Sequence, residues 1–264
     1  MDMAALIKII IFLLAWLILW LPIAMGLGSR LGWQPLQGTK PDQKLPLVAS
    51  LYALAPLVIW GLLKIEGSSL HNYGLIWSFS LFISLTKGLI LAVVGLGIIF
   101  FLEGILAWVH WQPKNLTRAF ALSLPLLIVA LWVGITEELI FRGIFLSQLS
   151  QEYGFWVAGA ISSLIFALLH LLWERQQTLP QLPGLFLMGM VLVWARAIDH
   201  GSLGLAWGLH GGWVWGLALL DSAELMSYSD SGLVWVKGIY NQPLGGLAGI
   251  LCLLGTAWGL NLFQ

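Results

Sequence analysis

Between Ile9 and Ser29 the chain carries no charged side chain, and comparable uncharged runs recur toward its C-terminus, among them Ala119 to Thr136. About 20 consecutive apolar residues suffice to cross about 30 Å of hydrocarbon as a helix. Inside lipid a helix also satisfies its own backbone hydrogen bonds. A chain built this way is predicted to fold as an all-α, polytopic membrane bundle. Composition agrees: 59% of residues are hydrophobic and 9% are charged, against about 25% charged in soluble domains. The sixteen tryptophans suit the headgroup interface, which favours indoles. Lys plus Arg and Asp plus Glu balance at 12 each, so no basic field points to nucleic acid. The single cysteine, Cys252, forms no internal disulfide and reads as a small apolar residue.

About eight transmembrane helices are expected, in one membrane domain over residues 1–264. Their approximate spans are Leu6–Met25, Leu45–Leu63, one long helix within Gly74–His110, Leu116–Ser150, Phe155–Trp173, Pro183–Ile198, Ser202–Leu220 and Leu244–Leu262. The apolar N-terminal run resembles a signal peptide, but its length makes it the first span. The loop from Gly26 to Lys44, with Arg30, Lys40, Asp42 and Lys44, is expected to be wet. Glu174 and Arg175 mark a water interface after the fifth span.

Three spans carry polar side chains where the cost of burial is high. A charge at membrane depth costs roughly 2.5–3.5 kcal/mol on insertion scales, yet Glu137, Glu138 and Arg142 stand together in the fourth. Glu138 and Arg142, four apart, share a helix face and can form a charge-assisted pair. Glu137 is rotated by about 100° from Glu138 and is left free of that partner. A free carboxylate among apolar groups is suited to act as a general base. His170 lies near the end of the fifth span, on one face with Phe166. In the seventh, Gly204, Gly208, Gly212 and Gly216 recur every four residues, a stripe that permits close helix packing in a bilayer. His210 sits about 160° from Gly212, so the helix can pack by its glycines while the histidine faces another space.

Two chemistries suit Glu137, His170 and His210. In one, Glu137 and His170 deprotonate a water that attacks a peptide carbonyl, and His210 hydrogen-bonds the developing oxyanion. In the other, Glu and His side chains hold a divalent metal such as zinc. The spacing contains no helical His-Glu-x-x-His, so the cofactor-free scheme is preferred. A proton-coupled transporter is a third reading, disfavoured by the lack of an internal repeat. The other polar residues are expected to be peripheral. His71 and His110 lie at helix ends, Asp199 and His200 in a solvated turn, and Asn241 and Asn261 lack an inferred partner.

Glu137-Glu138-x-x-x-Arg142 followed by Gly143, Phe166-x-x-x-His170, and Gly201-Ser202-Leu203 leading to His210 together resemble the motifs of the CPBP family. That family comprises the CAAX prenyl proteases of the Rce type and the bacteriocin-processing, Abi-type membrane proteins. The resemblance spans about residues 116–220, the motif-bearing core. It implies an eight-helix bundle with a central cavity. It also implies water activation by Glu137 and His170, an oxyanion role for His210, and support from Glu138, Arg142 and Phe166. One position departs from the pattern. The family places Asn or Asp one turn after the last histidine, and here that position is Val214, which can donate nothing to an oxyanion. The resemblance therefore implies either an intramembrane endopeptidase acting on membrane-associated peptides, prenylated or bacteriocin-like, or a non-proteolytic relative that stabilises a membrane-protein client. The bilayer, of the plasma membrane or an internal membrane such as the thylakoid, is the expected setting.

Overall fold

A computed structural model describes residues 4–33, 41–173 and 175–263. Lys40 and Glu174, assigned above to a wet loop and an interface, lie outside the described residues, as do the side chains of Asp42 and Lys44. Among the described residues eight longer helices build the fold: α1 (Ala5–Leu31), α2 (Pro41–Glu66), α3 (Phe79–Ile105), α4 (Leu116–Glu137, continued to Leu149), α5 (Phe155–Leu169), α6 (Leu182–Ile198), α7 (Gly204–Ser222) and α8 (Leu247–Gly259). Among the described residues six are long and apolar enough to cross a membrane; α7 and α8 are not among them. The physical reason for α7 is its glycines, tryptophans and His210, which dilute its hydropathy while its N-terminal half is buried against other helices. The one long helix expected within Gly74–His110 is α3, and a short 3-10 turn, Leu70–Tyr73, precedes it.

Lipid-facing and core-facing sides separate by helical period. On α1, Ala5, Ile9, Phe12, Trp16, Trp20 and Ala24 are buried, whereas Ile7, Ile10, Ile11, Leu14 and Ile18 are exposed. Such a ring of exposed aliphatic side chains is expected of a surface solvated by acyl chains rather than by water.

The glycine stripe does what its spacing predicts. A Cβ built on Gly204 would lie 2.7 Å from the Leu81 carbonyl oxygen, one on Gly212 2.6 Å from the Ala92 Cβ, and one on Gly216 2.7 Å from a Leu96 methyl. On Gly208 it would collide with the Leu85 carbonyl. All four contacts are on α3, which Gly88 reciprocates by facing the backbone of Leu205 and Leu209. The opposite side of α7 packs on α4, where Gly211 meets Leu131 and Gly134 approaches the Gly211 amide. Thus α7 is clamped between α3 and α4, with His210 directed toward α4.

Each end of the bundle is fixed by polar contacts. At one end, Lys8 donates to Gln148 at 3.1 Å, Gln148 donates to Glu66 at 2.8 Å, and Tyr73 donates to Glu66 at 2.5 Å. These bonds tie α1, α2, the Leu70–Tyr73 turn and the end of α4. At the other end a feature with no counterpart in the sequence reading appears. Strand β1 (Val109–Trp111) pairs antiparallel with β2 (Met226–Tyr228), Trp111 opposite Met226.

Candidate active site

Helix α4 changes character at the acid pair. From Glu138 to Phe145 it is a π-helix, and it returns to α-geometry at Leu146. Widening the backbone spiral leaves carbonyls short of intrahelical donors, and other helices supply them. Ser162 of α5 donates to the Phe141 carbonyl at 2.7 Å, and Arg196 of α6 donates to the Arg142 carbonyl. Arg196 also reaches the Ser147 hydroxyl at 3.1 Å and the Gly201 carbonyl at 3.2 Å. π-Segments occur mostly at functional sites, and this one carries Glu138 and Arg142.

Glu138 and Arg142 are completely buried and are joined at 3.1 Å through one guanidinium nitrogen. The contact is monodentate: the same Glu138 oxygen also takes His210 Nδ1 at 2.7 Å, while the other Glu138 oxygen and Arg142 Nε and Nη2 have no partner among the described residues. The Arg142 guanidinium lies over the Phe166 ring, 4.5 Å from its centroid, so a cation–π contact replaces part of its lost hydration. Phe166 thereby becomes a shared platform. Its ring stands 4.5 Å from that of His170 and 6.0 Å from that of His210, edge-on to both.

Glu137 is not free, as the 100° rotation led us to expect. One of its oxygens accepts from the Tyr52 hydroxyl of α2, and the other lies 3.4 Å from His210 Nε2. His210 therefore bridges both carboxylates, one ring nitrogen to each. Since both oxygens are acceptors, a proton must lie in each nitrogen–oxygen gap for the two contacts to be favourable. The site is built to hold a proton between an imidazole and a carboxylate.

His170 is arranged differently. Its Nδ1 lies 2.8 Å from the Phe166 carbonyl, an acceptor, which fixes the proton on Nδ1. Nε2 is then the bare acceptor, and it makes no hydrogen bond among the described residues. Among those residues His170 is not joined to Glu137; the histidine that takes Glu137 is His210. The two histidines meet instead on the wall of a cavity of about 240 Å³, together with Met188, Trp213, Val214 and Cys252. Val214 thus occupies this wall, one turn beyond His210.

Among the described residues no group of three His, Cys, Asp or Glu side chains is placed to hold a metal ion. The donors present do not fit one: both His210 nitrogens face carboxylates, and the Arg142 cation adjoins the same Glu138 oxygen. Asp199, expected in a solvated turn, instead accepts from Ser84 at 2.6 Å and from the Leu205 amide at 3.1 Å, tying the start of α7 to α3. His71 is exposed in the Leu70–Tyr73 turn, and His110, expected at a helix end, is exposed in strand β1. Asn261 donates to the Trp258 carbonyl at 3.0 Å, a partner that the sequence did not suggest.

The sequence reading missed Tyr52. It lies on α2, far from the motifs, and nothing but a polar tip in an apolar span could have singled it out. It also missed Arg196 and Ser162, whose partners are carbonyls freed by the π-segment.

Fold and site together define a multi-pass helical membrane protein with a buried carboxylate–histidine centre. Residues 119–216 match the family described as Type II CAAX prenyl endopeptidase Rce1-like, a match that bears out the CPBP resemblance over nearly the same stretch. It supports a CAAX-type intramembrane protease kind of function. No curated protein and no solved structure matches the chain.

Proposed function

We propose that this chain is an intramembrane endopeptidase that cleaves membrane-anchored peptides, prenylated CAAX-type peptides first among them, without a metal. One observation carries the proposal: His210 joins two buried carboxylates and lines the same cavity as His170, whose Nδ1 is held by the Phe166 carbonyl. In the proposed reaction Glu137 and His170 orient a water at the cavity. Glu137 takes one proton as the water oxygen bonds to the scissile carbonyl carbon. The carbonyl electron pair becomes an oxyanion, to which the His210 Nε2–H donates as the newly protonated Glu137 releases it. When the oxyanion collapses the C–N bond breaks, and the proton held between Glu137 and His210 passes to the leaving amine. Glu138, Arg142 and Phe166 hold His210 in place, and Tyr52 orients Glu137.

Val214 supports a second reading, a non-proteolytic member that uses the cavity to hold a membrane-protein client. An isosteric variant separates the two. Glu137→Gln keeps shape and hydrogen bonding but cannot take a proton. Cleavage of a farnesylated CAAX peptide by purified protein is expected to disappear in Glu137→Gln, His170→Ala and His210→Ala. If wild-type protein cleaves nothing while Glu137→Gln sustains a stoichiometric client complex in the membrane, the second reading replaces the first.

A further inference from the structure

The cavity that holds His170 and His210 is too small for the peptide it is proposed to admit. Its volume is about 240 Å³, whereas pockets for drug-sized molecules run about 300–1,000 Å³, and a lipidated peptide is larger than those molecules. Part of the wall must therefore move. Most of the wall belongs to α3, α6, α7 and α8. The lining residues that lie outside the longer helices are His170, Gln181, Pro243 and Leu244.

Pro243 and Leu244 belong to the segment Gly238–Gly246 ahead of α8, and two features suit that segment to movement. The first is its backbone. Gly238 has φ 112°, and Tyr240 and Asn241 have φ 59° and 58°. The left-handed region disfavours residues with a Cβ, bulky ones most, and residues held there cluster at switch regions. The second is its seat. A Cβ on Gly184 of α6 would collide with the Leu244 carbonyl oxygen, and one on Gly249 of α8 with the Pro243 carbonyl oxygen. Both residues thus rest on bare helix backbone, and among the described residues no hydrogen bond joins either to α6. The chain is fixed just before the segment begins, where buried Lys237 donates to the Ser229 and Ser231 carbonyls at 2.6 Å each.

We infer that Gly238–Gly246 is the gate of the cavity. Seated on Gly184 and Gly249, it completes the wall with Pro243 and Leu244. Swung away, it lets a peptide reach His170 and His210. The gate so defined rests on the protease reading above and deepens it, by assigning where substrate enters. Its side chains Ile239 and Tyr240 are exposed. A tyrosine there suits the headgroup interface, from which a membrane-anchored peptide arrives. Movable segments of this kind keep water from the reacting groups and complete the site once substrate is in place.

The test uses the full chain in detergent and the double variant Gln181→Cys/Gly245→Cys. A Cβ on Gly245 would lie 3.6 Å from the Gln181 Cγ, close enough for oxidation to staple the segment to the turn before α6. Peptide mapping confirms which cysteines are joined. Cys252, the single native cysteine, is buried and lines the cavity, so its modification by N-ethylmaleimide reports opening without need of activity. Stapling is expected to slow that modification relative to wild type, and to slow cleavage of a farnesylated CAAX peptide, each at least about tenfold, because only the open fraction reacts. Dithiothreitol should restore cleavage. Gly184→Ala puts a methyl against the Leu244 carbonyl and, by unseating the segment, should raise the Cys252 rate above wild type; a rate at or below wild type contradicts the gate. Stapled protein that cleaves as fast oxidised as reduced overturns the gate and leaves the protease reading standing. If wild type cleaves nothing, the protease reading falls and Cys252 decides the gate: slowed modification keeps it as the door to the cavity, and modification at the wild-type rate removes it too.

Discussion

Replacing Arg142 by Met tests whether the buried charges hold the site or merely occupy it. The guanidinium is fully buried and 3.1 Å from Glu138. At that separation and an effective dielectric of about 20, the attraction is about 5 kcal/mol. Methionine keeps much of the volume against Phe166 but leaves Glu138 buried without its cation. Breaking a buried pair in this way costs about 3–5 kcal/mol, because the remaining charge is uncompensated. For a chain of this length 1 kcal/mol corresponds to about 2–4 °C in Tm, so Arg142→Met is expected to melt roughly 10 °C lower in detergent, read by tryptophan fluorescence. The double variant Glu138→Gln/Arg142→Met removes both charges and leaves an amide oxygen for His210 Nδ1, so it is expected to recover at least half of that fall. A single variant that melts with wild type, or a double variant no better than the single, would refute the claim that Glu138 needs its arginine.

Tyr52→Phe removes only the hydroxyl on Glu137 and keeps the edge-to-face contact with Trp132. Since a hydrogen bond to a charged group is worth about 1.5–3 kcal/mol, kcat is expected to fall about 10- to 100-fold with little change in melting. An unchanged kcat would remove Tyr52 from the site. Gly212→Leu drives a side chain into Ala92 and the Leu89 backbone of α3, whereas Gly26 on α1 has nothing within 4 Å of the added carbon. Overpacking costs typically about 1–3 kcal/mol and sometimes more. Gly212→Leu should therefore melt lower and be recovered in poorer yield, and Gly26→Leu should match wild type in both. Outside the spans, burial and the bond to Glu66 push the Tyr73 phenol above its usual 10.0. A raised phenol pKa means that the stability it confers is complete below pH 10 and is lost as pH climbs through the folded-state value. Tyr73→Phe should flatten that alkaline loss in a pH series of melts, and a loss of the same steepness would show that another group is responsible.

Much of this architecture is legible in the residues because its determinants are local. Apolar run length sets α1 to α6, and a four-residue glycine period identifies the face by which α7 meets α3. The pairing of Glu138 with Arg142 follows from their spacing and survives the change to π-geometry, with one guanidinium nitrogen still reaching a Glu138 oxygen. The rest depends on chain segments distant in sequence. The π-segment persists because Ser162 and Arg196 satisfy its freed carbonyls, and neither belongs to α4. Glu137 is free by helix rotation alone, yet α2 brings Tyr52 and α7 brings His210 to it. No spacing within α4 could have predicted either partner. The β1–β2 pair is three residues long on each side, too short for a periodic signal.

The central claim is that Glu137 takes a proton from water at this site, and Glu137→Gln tests it most directly. Losing a general base costs typically about 10²–10⁴ in rate. Purified wild-type protein is predicted to cleave a farnesylated CAAX peptide, and Glu137→Gln to do so at least about 10²-fold more slowly with an unchanged melting temperature. Cleavage by Glu137→Gln at the wild-type rate would contradict the account.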